Sequence, residues 1–338
     1  MIINLITNEK ISIKSDTAFC DNVEIKNITD ELNKLANTKL LGRKGKNHIS
    51  HKIHSSNVYT AGNMISYLTK IYKTFKEKNS VYLIVSLSPY TFLASIILKL
   101  FKKKLLIYLR SDGFKEYKHI IGGLGPFVYN LIFFLVTKNS KLVSCGKEIL
   151  KNKVGEVVTP SSLSQKWNEN KTPANFKNIK MLYVGRWRVE KGIFNFVKIL
   201  EGINQELRLT IIGDDNRKQN KSLDSKISYK GIISNEDELI QNYDDHNILV
   251  LPSFTEGYSM VIDEALIRLR PVIIFEDIEH IVGSRKGVFV CKRNTEDLMK
   301  KINYISNNYE KILSEIEKNK FVYKHEFIEK IFNKLKSL

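Results

Sequence analysis

The stretch that decides the fold of this chain is Met181-Leu-Tyr-Val-Gly-Arg-Trp-Arg-Val-Glu-Lys-Gly192. Its first four residues predict an apolar strand, and a helix is predicted over Glu190–Glu201. The glycine lets the backbone approach a ligand, and the unpaired amides of a helix N-terminus favour an anion. Arg186 and Lys191 add full positive charges in the same loop. The stretch therefore predicts a parallel strand–helix unit with an anion site, although such loops also occur without a ligand.

The same alternation of short apolar strands and amphipathic helices continues on both sides of this stretch. Strands are predicted over Ile2–Ile6, Val81–Ser86, Lys104–Leu109, Lys141–Ser144, Met181–Val184, Arg208–Ile212, Ile227–Tyr229, Ile248–Leu251 and Val272–Phe275. Helices are predicted over Asn63–Lys78, Tyr90–Phe101, Pro126–Thr137, Glu236–Tyr243 and Ser259–Arg268, and from about Thr295 onward. This pattern predicts two doubly wound parallel sheets in series, with ligands bound at the carboxyl ends of the strands in a cleft between them.

The 338 residues suit two domains rather than one ordinary core. The segment between residues 160 and 178 is polar and carries a proline near each end, which is typical of a linker. We therefore expect one domain over residues 1–160, a linker over 161–177 and a second domain over 178–338. Whether the helical C-terminus returns to the first domain stays open.

The charge of the chain is unevenly distributed along its length. The whole sequence has a formal net charge of +18, and residues 1–160 hold 25 lysines and arginines against 11 aspartates and glutamates. A field of this kind attracts an anionic partner to the first domain, where nucleic acid, acidic lipid headgroups and a phosphorylated acceptor are all candidates. Alternatively, the excess of lysine reflects a generally lysine-rich proteome and requires no anionic partner.

Neither the apolar runs nor the cysteines suggest an exported or membrane-spanning protein. The longest candidate span, Phe127–Val136, is about ten residues long against the roughly 18 that a bilayer requires. The N-terminus has no basic region of the kind that opens a signal peptide. Cys20, Cys145 and Cys291 are far apart and fit reduced thiols. We expect a cytoplasmic protein, with peripheral attachment to the inner face of the membrane left open.

Two further loops follow predicted strands and are expected at the same edge of the second sheet. In Ile212-Gly-Asp-Asp215, the paired aspartates suggest a divalent metal, and a plain glycine turn beside the ligand is the alternative we favour. In Pro252-Ser-Phe-Thr-Glu-Gly257, Glu256 is expected at the mouth of the following helix. Glu264 is eight residues further on, which for a helix is near the same face. Two carboxylates are thus expected to bind opposite ends of one elongated polar ligand.

Taken together and in order, these residues resemble the retaining glycosyltransferases of family 4, over about residues 178–305. The resemblance rests on Gly185-Arg186, Glu190-Lys191-Gly192, Ile212-Gly213-Asp214, Lys230-Gly231, Leu251-Pro252-Ser253, Glu256-Gly257-Tyr258-Ser259, Glu264-Ala265-Leu266 and Pro271-Val272-Ile273. It implies the GT-B fold, in which two Rossmann-like domains face a central cleft.

The resemblance also implies roles for individual residues. Arg186 and Lys191 would clamp the diphosphate of a nucleotide-sugar donor, and Glu256 would lie beside the transferred sugar. Glu264 would bind the ribose hydroxyls. The remaining donor-binding positions would be Gly185, Gly213, Ile232, Gly257, Tyr258, Ser259 and Met260. Front-face attack, in which the departing phosphate helps to deprotonate the acceptor, would retain the anomeric configuration without an enzymic nucleophile.

The expected clamp makes a metal unnecessary for charge stabilisation. A leaving nucleotide diphosphate develops negative charge, and one cation about 4 Å away is worth roughly 4 kcal/mol at an effective dielectric constant near 20. Two such cations supply a useful share of the ~8–23 kcal/mol by which enzymes lower barriers. We therefore expect neither a metal nor a cofactor.

The sequence departs from the family pattern in three places. No glycine follows the first strand, where the sequence is Ile6-Thr-Asn-Glu-Lys10. The family histidine of the first domain is absent, and Arg110 or Asp112 is the candidate to replace it. Leu269 replaces a glycine between a helix and a proline. Because leucine in a left-handed backbone would cost about 1–2 kcal/mol, we expect that turn to be built differently.

Two basic stretches mark the first domain, which in this fold usually receives the acceptor. They are Leu41-Gly-Arg-Lys-Gly-Lys46 and Lys99-Leu-Phe-Lys-Lys-Lys104. The second stretch either rests against anionic lipid, at about 1 kcal/mol per cation, or is a solvated helix end. The spacing of His48, His51 and His54 suggests exposed loop histidines more than a metal patch.

The main hypothesis is a retaining hexosyltransferase that moves a sugar from a UDP- or GDP-type donor to a glycan or lipid-linked acceptor in bacterial surface polysaccharide synthesis. A nucleotide-sugar epimerase of the same fold and a non-enzymatic nucleic-acid-binding protein are the alternatives. A catalytically silent GT-B subunit is a further one. Against nucleic acid, aromatic residues are not interleaved with the basic stretches, and no motif of a known nucleic-acid-binding module is present.

Overall fold

The computed structural model describes residues 1–45, 51–55, 57–213 and 226–338. The chain forms two compact units. The first comprises Met1–Ser162 together with Val322–Leu338, and the second comprises Leu163–Phe321. Each unit contains one sheet, and each is described separately below.

The regular elements of the described residues alternate between strand and helix along most of the chain. The strands are β1 (Ile2–Lys14), β2 (Thr17–Cys20), β3 (Asn37–Lys44), β4 (His51–Ile53), β5 (Val58–Ala61), β6 (Ser80–Val85), β7 (Leu105–Leu109), β8 (Lys141–Ser144), β9 (Glu156–Val157), β10 (Ile179–Val184), β11 (Leu207–Ile212), β12 (Ile227–Gly231), β13 (Ile248–Leu251), β14 (Val272–Phe275) and β15 (Val288–Cys291). The α-helices are α1 (Val23–Leu35), α2 (Met64–Lys73), α3 (Pro89–Leu100), α4 (Gly113–Ile121), α5 (Gly125–Thr137), α6 (Ile193–Glu201), α7 (Glu236–Asp244), α8 (Met260–Ile267), α9 (Thr295–Asn307), α10 (Tyr309–Ile316) and α11 (Lys324–Lys336).

The first unit is built on a mixed sheet whose parallel part is centred on β1. Strands β3 and β6 flank β1 in parallel; β5 continues beyond β3, and β7, β8 and β9 follow β6. The second half of β1 pairs antiparallel with β2, which pairs with β4. The predicted strand Ile2–Ile6 therefore continues to Lys14, and residues 6–10 are strand instead of a ligand loop. The β1–β3 register shifts between Ile6 and Lys10.

The C-terminal helix α11 packs in the first unit, against α1. Lys324 pairs with Glu31 at 3.4 Å, and the ring of Phe327 lies 6.0 Å from that of Tyr108. Phe327 and Ile331 are fully buried, so hydrophobic burial holds this helix to α1.

The second unit has the doubly wound order of a Rossmann domain. Its six strands are parallel and ordered β12-β11-β10-β13-β14-β15. The chain first winds outward from β10 in one direction and then restarts at β13 on the other side. The strand order thus reverses between β10 and β13, and a crevice at such a switch point is where open α/β sheets bind ligands.

Several predicted elements are confirmed, and others were missed. Strands Lys141–Ser144, Ile248–Leu251 and Val272–Phe275 match residue for residue. The predicted helix over Glu190–Glu201 instead begins with a 3-10 turn at Val189–Lys191, and α6 begins at Ile193. Helix α1 was missed because eight polar or charged residues obscure its apolar stripe.

The turn after α8 contradicts the expectation for Leu269. This leucine has φ of 63°, so the left-handed conformation of the family's glycine is kept. The N–H of Leu269 donates to Leu266 O at 2.9 Å, and that of Arg270 donates to Ala265 O at 2.8 Å, which satisfies the helix end. The Leu269 side chain is buried. Its burial, worth about 1.5–3 kcal/mol, offsets the roughly 1–2 kcal/mol of backbone strain.

Two buried arginines beside this turn bind the segment that was expected to be a linker. Arg268 donates to the carbonyls of Trp167 and Glu169 at 2.9 and 2.6 Å, and Arg270 donates to that of Thr172 at 2.5 Å. Residues 167–172 are therefore an ordered part of the second unit. No helix in the described part of the chain has the length and apolarity needed to cross a bilayer.

Candidate active site

The two loops at the switch point of the second sheet are joined by an ion pair. Lys191 lies in the loop after β10, and Glu256 lies in the loop after β13. Lys191 Nζ is 2.5 Å from Glu256 Oε1, which also accepts a 2.7 Å hydrogen bond from Ser253 Oγ. The lysine side chain is 20% exposed and the glutamate 9%. One basic and one acidic side chain thus meet where the strand order reverses.

Gly192 allows this close approach of the two loops. It has φ of 66°, and a Cβ built on it would lie 1.9 Å from the carbonyl oxygen of Pro252. The N–H of Phe254 donates to Glu190 O at 2.9 Å, which ties the loops together again. Any other residue at position 192 would separate Lys191 from Glu256.

Arg293, which sequence reasoning missed, contacts and supports the loop after β13. It follows β15, and its guanidinium lies 4.0 Å from the ring centroid of Phe254 and 4.6 Å from that of Phe275. Its Nε donates to Asp277 Oδ2 at 2.6 Å, and a terminal nitrogen donates to Ser253 O at 2.8 Å. An arginine just after an apolar strand is the one feature of the sequence that points to this role.

Arg186 lies in the same loop as Lys191 and is half-buried. Its carbonyl accepts hydrogen bonds from Tyr183 OH and from the N–H of Arg188, both at 2.9 Å. Its guanidinium forms no ion pair with any residue in the described ranges. Arg186 therefore carries a charge that the described neighbours leave uncompensated, whereas the charge of Lys191 is already paired.

Glu264 is positioned differently from what the sequence predicted. Helix α8 begins only at Met260, so Glu256 is in the loop and does not share a helical face with Glu264. Glu264 is buried, and its Oε2 accepts a 2.7 Å hydrogen bond from Tyr243 OH. Burial and the neighbouring Glu264 carboxylate raise the pKa of Tyr243 well above its ordinary value, so the phenol stays a donor. Tyr243 thereby fixes the orientation of the Glu264 carboxylate.

The segment Gly257–Met260 leads into α8 and is fixed by a side-chain cluster. Tyr258 OH donates to Asp263 Oδ2 at 2.5 Å, and the Arg285 guanidinium lies 4.4 Å from the centroid of the Tyr258 ring. Arg285 Nε also donates to Asp263 Oδ1 at 2.6 Å. Ser259 is the N-cap of α8 but makes no side-chain capping hydrogen bond. The cluster therefore orders the backbone just before the helix, where amides favour an anion.

Glycines end three neighbouring strands at this edge of the sheet. The N–H of Gly185 donates to Ile212 O at 2.9 Å, and that of Gly213 donates to Gly231 O at 2.8 Å. A Cβ on Gly213 would lie 1.9 Å from Gly185 O, so only glycine fits there. Ile232, which follows Gly231, is exposed. The backbones at the ends of β10 and β11 therefore approach closely.

Most of the residues considered as alternative metal ligands lie outside the described part of the chain. Asp214 and Asp215, like His48, lie outside the described residues. No group of three or more potential ligands occurs among the described residues. His51 is half-buried, and this burial lowers its pKa below the ordinary value. The backbone N–H of His54 donates to Asp30 Oδ1 at 2.8 Å.

The first-domain candidates are both engaged within their own unit. Arg110 Nε is 2.8 Å from Glu24 Oε2, and one of its terminal nitrogens is 3.8 Å from Glu9 Oε1. Burial lowers the pKa of Arg110, but these carboxylates raise it by more. Asp112 caps α4 by accepting from the N–H of Phe114 at 3.1 Å, and pairs with Lys151 at 3.4 Å. Both side chains therefore have structural partners.

The basic stretch Lys99–Lys104 is only partly available to a lipid surface. Lys99 Nζ donates to the carbonyls of Leu135 and Val136 at 2.9 and 2.6 Å, and burial lowers its pKa. Lys103 Nζ donates to Phe75 O at 3.0 Å. Two of its four lysines, Lys99 and Lys103, thus bind carbonyl oxygens within the fold, so only the other two remain for either of the roles that the sequence left open.

Comparison with known proteins finds similarity to glycosyltransferases. Residues 178–308 match the sequence profile of the family described as Glycosyl transferases group 1. An uncharacterized glycosyltransferase of Haemophilus influenzae is 26% identical over 199 residues, which span about half of either protein, 55% of each. Another, from Methanocaldococcus jannaschii, is 27% identical over 267 residues, or 73% of this chain and 72% of the relative.

Among solved structures, the Anabaena protein HepE in complex with UDP matches over the full length of both chains, with a TM-score of 0.73 at 13% identity. The fold is GT-B. The predicted fold class is thereby confirmed, and the matched range 178–308 coincides with the range over which the sequence resembles glycosyltransferases. In this GT-B chain the match lies wholly within the second unit, which contains Lys191, Glu256 and Glu264.

Proposed function

We propose that this chain is a retaining glycosyltransferase that moves a hexose from a UDP- or GDP-type donor to a glycan or lipid-linked acceptor in bacterial surface polysaccharide synthesis. The observation that carries the proposal is the Lys191–Glu256 pair at the switch point of the second sheet. Similarity of residues 178–308 to group 1 glycosyltransferases supports it independently.

Each side of the site suits one part of such a donor. Arg186, whose charge is uncompensated by the described residues, and Lys191 are suited to the diphosphate. Glu256 Oε1 accepts hydrogen bonds from Lys191 and Ser253. Its Oε2 accepts no hydrogen bond from the described residues and is available to a sugar hydroxyl. Glu264, oriented by Tyr243, is suited to accept from ribose hydroxyls.

In the proposed reaction, the bond between the anomeric carbon and the diphosphate oxygen breaks while a bond to the acceptor oxygen forms on the same face. The acceptor proton passes to the departing phosphate oxygen. Arg186 and Lys191 stabilise the charge that develops on the diphosphate, each by up to roughly 4 kcal/mol at about 4 Å. Because Lys191 is bonded to Glu256 before the donor arrives, the diphosphate shares this lysine with the glutamate.

The donor site is tested by thermal unfolding with UDP, GDP, ADP and CMP. A ligand at 100 times its dissociation constant stabilises a fold by about 2.7 kcal/mol. We expect UDP or GDP to stabilise the wild type and Lys198→Ala, whose exposed lysine lies on α6, but not Lys191→Ala. Failure of every nucleotide to bind the wild type, or equal stabilisation of the Lys191 variant, would overturn the donor site.

The reaction class is tested with the donor that binds. We expect the anomeric configuration of the product, measured by proton NMR coupling, to equal that of the donor. Conversion of the donor sugar into its epimer without any acceptor would favour an epimerase instead. A salt-dependent mobility shift of random DNA, with no response to nucleotides, would favour a nucleic-acid-binding protein.

A further inference from the structure

The hairpin of α4 and α5 in the first unit exposes eight large apolar side chains, with the exposed Asn130 among them. These residues, here named the α4–α5 face, are Ile120, Ile121, Leu124, Phe127, Val128, Leu131, Phe134 and Leu135. Leu124 is 74% exposed and Phe127 73%. Single exposed apolar residues are common on protein surfaces, whereas contiguous patches of this kind mark sites of interaction.

The spacing along α5 shows that this face is additional to the side that packs. Phe127, Leu131 and Phe134 recur at intervals of four and three residues, which places them on one side of a helix. The opposite side of α5 is buried; there the ring of Tyr129 lies 4.8 Å from that of Phe114 and is itself part of the core. Helix α5 is thus apolar on both sides except for the exposed Asn130, but only its inner side is buried.

The hairpin is closed from its inner side. A Cβ on Gly125 would lie 2.0 Å from Tyr117 O, so the two helices are in backbone contact where α5 begins. The rings of Tyr117 and Tyr129 are 5.2 Å apart. Since the packing that holds α4 to α5 does not involve the α4–α5 face, polar substitutions on that face are not expected to unfold the unit.

The surroundings of the face are strongly basic. Residues 117–147 contain no aspartate or glutamate, and residues 99–153 hold 12 lysines and arginines against 3 acidic residues. Lys118 and Lys138 are exposed, and Lys153 Nζ lies 5.4 Å from the ring centroid of Phe134. An apolar stripe bordered by lysines is the combination that binds at the interface of an anionic bilayer.

We propose that the α4–α5 face docks on an anionic lipid surface, with the apolar side chains in the headgroup region and the lysines over the lipid phosphates. A second copy of the chain fits less well, because a self-complementary interface would bring two basic surfaces together. The inference rests on the proposed function only for the reason why docking is useful, which is access to a lipid-linked acceptor. Binding to lipid itself requires no catalysis.

The test is flotation of the full-length protein with vesicles of equal parts phosphatidylglycerol and phosphatidylcholine, and with phosphatidylcholine alone. We expect binding to the anionic vesicles at least about tenfold tighter than to the neutral ones, weakening as salt rises above about 0.1 M. The double variant Leu124→Gln/Phe127→Gln is expected to lose at least about tenfold in vesicle binding. The matched control is Ile65→Gln on α2, whose residue is 79% exposed and equally apolar, and it is expected to bind like the wild type.

Equal binding of the double variant and the wild type would overturn the proposal. The proposal would also be overturned if the wild type does not bind vesicles but sediments as a dimer, and the double variant sediments as a monomer. Nucleotide-induced thermal stabilisation, measured on the same samples, separates the two proposals. If nucleotides do not stabilise a protein that still binds vesicles, only the donor site is contradicted. If nucleotides stabilise a protein that does not bind vesicles, only the docking face is contradicted.

Discussion

The pairing of Lys191 with Glu256 makes an unusual prediction: Glu256→Gln is expected to bind free UDP or GDP more tightly than the wild type does. The 2.5 Å ion pair neutralises a cation that the diphosphate needs. A phosphate oxygen bonded to the far side of Lys191 would be about 5 Å from the Glu256 carboxylate. At an effective dielectric constant of about 20 to 40, that repulsion is roughly 2–3 kcal/mol.

Part of this gain is offset because the neutral glutamine oxygen accepts from Lys191 more weakly than the carboxylate does and holds the lysine less firmly in place. We therefore expect the dissociation constant to fall about tenfold, or about 1.4 kcal/mol. Transfer is expected to fall at least about 100-fold, because the proposed contact with the sugar is lost. Calorimetric titration with the nucleoside diphosphate that stabilises the wild type measures the first effect, and single-turnover transfer measures the second.

Glu190→Gln is the matched control for this substitution. Glu190 is a carboxylate of the same loop, but its side chain is 3.9 Å from Arg188 and does not contact Lys191. We expect its nucleotide affinity to change less than about twofold. Unchanged or weaker nucleotide binding by Glu256→Gln, in a protein that melts like the wild type, would refute the role given to the ion pair.

Three further changes are informative. In Gly192→Ala the new methyl group would lie 1.9 Å from Pro252 O, so we expect the unfolding free energy to fall by about 1–3 kcal/mol and transfer to be lost; an unchanged melt and turnover would contradict this. Arg293→Ala is expected to lower kcat up to about 100-fold with little change in the KM for the donor, because Arg293 holds Ser253 and not the ligand. A rise in KM alone would exclude a positioning role. Arg293→Lys is expected to restore kcat only in part. His246 is buried, which lowers its pKa below the ordinary 6.5, so the unfolded chain binds more protons and the unfolding free energy falls as pH drops below about 6.5. Urea unfolding of the wild type and His246→Gln between about pH 7 and pH 5 measures this, and an equally steep fall in both proteins would assign it to other groups.

The sequence by itself determined the strand–helix alternation and most of the residues at the candidate site. Three strands were predicted residue for residue, because short apolar runs bounded by turn residues are a local property of the chain. Lys191 and Glu256 were found because charged residues in loops after parallel strands gather at one edge of the sheet.

Only the tertiary structure decided which of these residues meet. Lys191 and Glu256 are 65 positions apart, and they pair because β10 and β13 are neighbours in the sheet. The contact of Arg293 with the loop after β13 likewise spans 40 positions. Strand order depends on long-range packing, which no local pattern encodes.

Burial explains the remaining differences between sequence and structure. Leu269 adopts a left-handed backbone because the surrounding core buries its side chain, an effect that residue propensity does not include. Lys99 turns onto carbonyls of α5, which follows from the packing of α3 and α5. Periodicity also cannot tell which side of the largely apolar helix α5 is covered, because that depends on what packs against it.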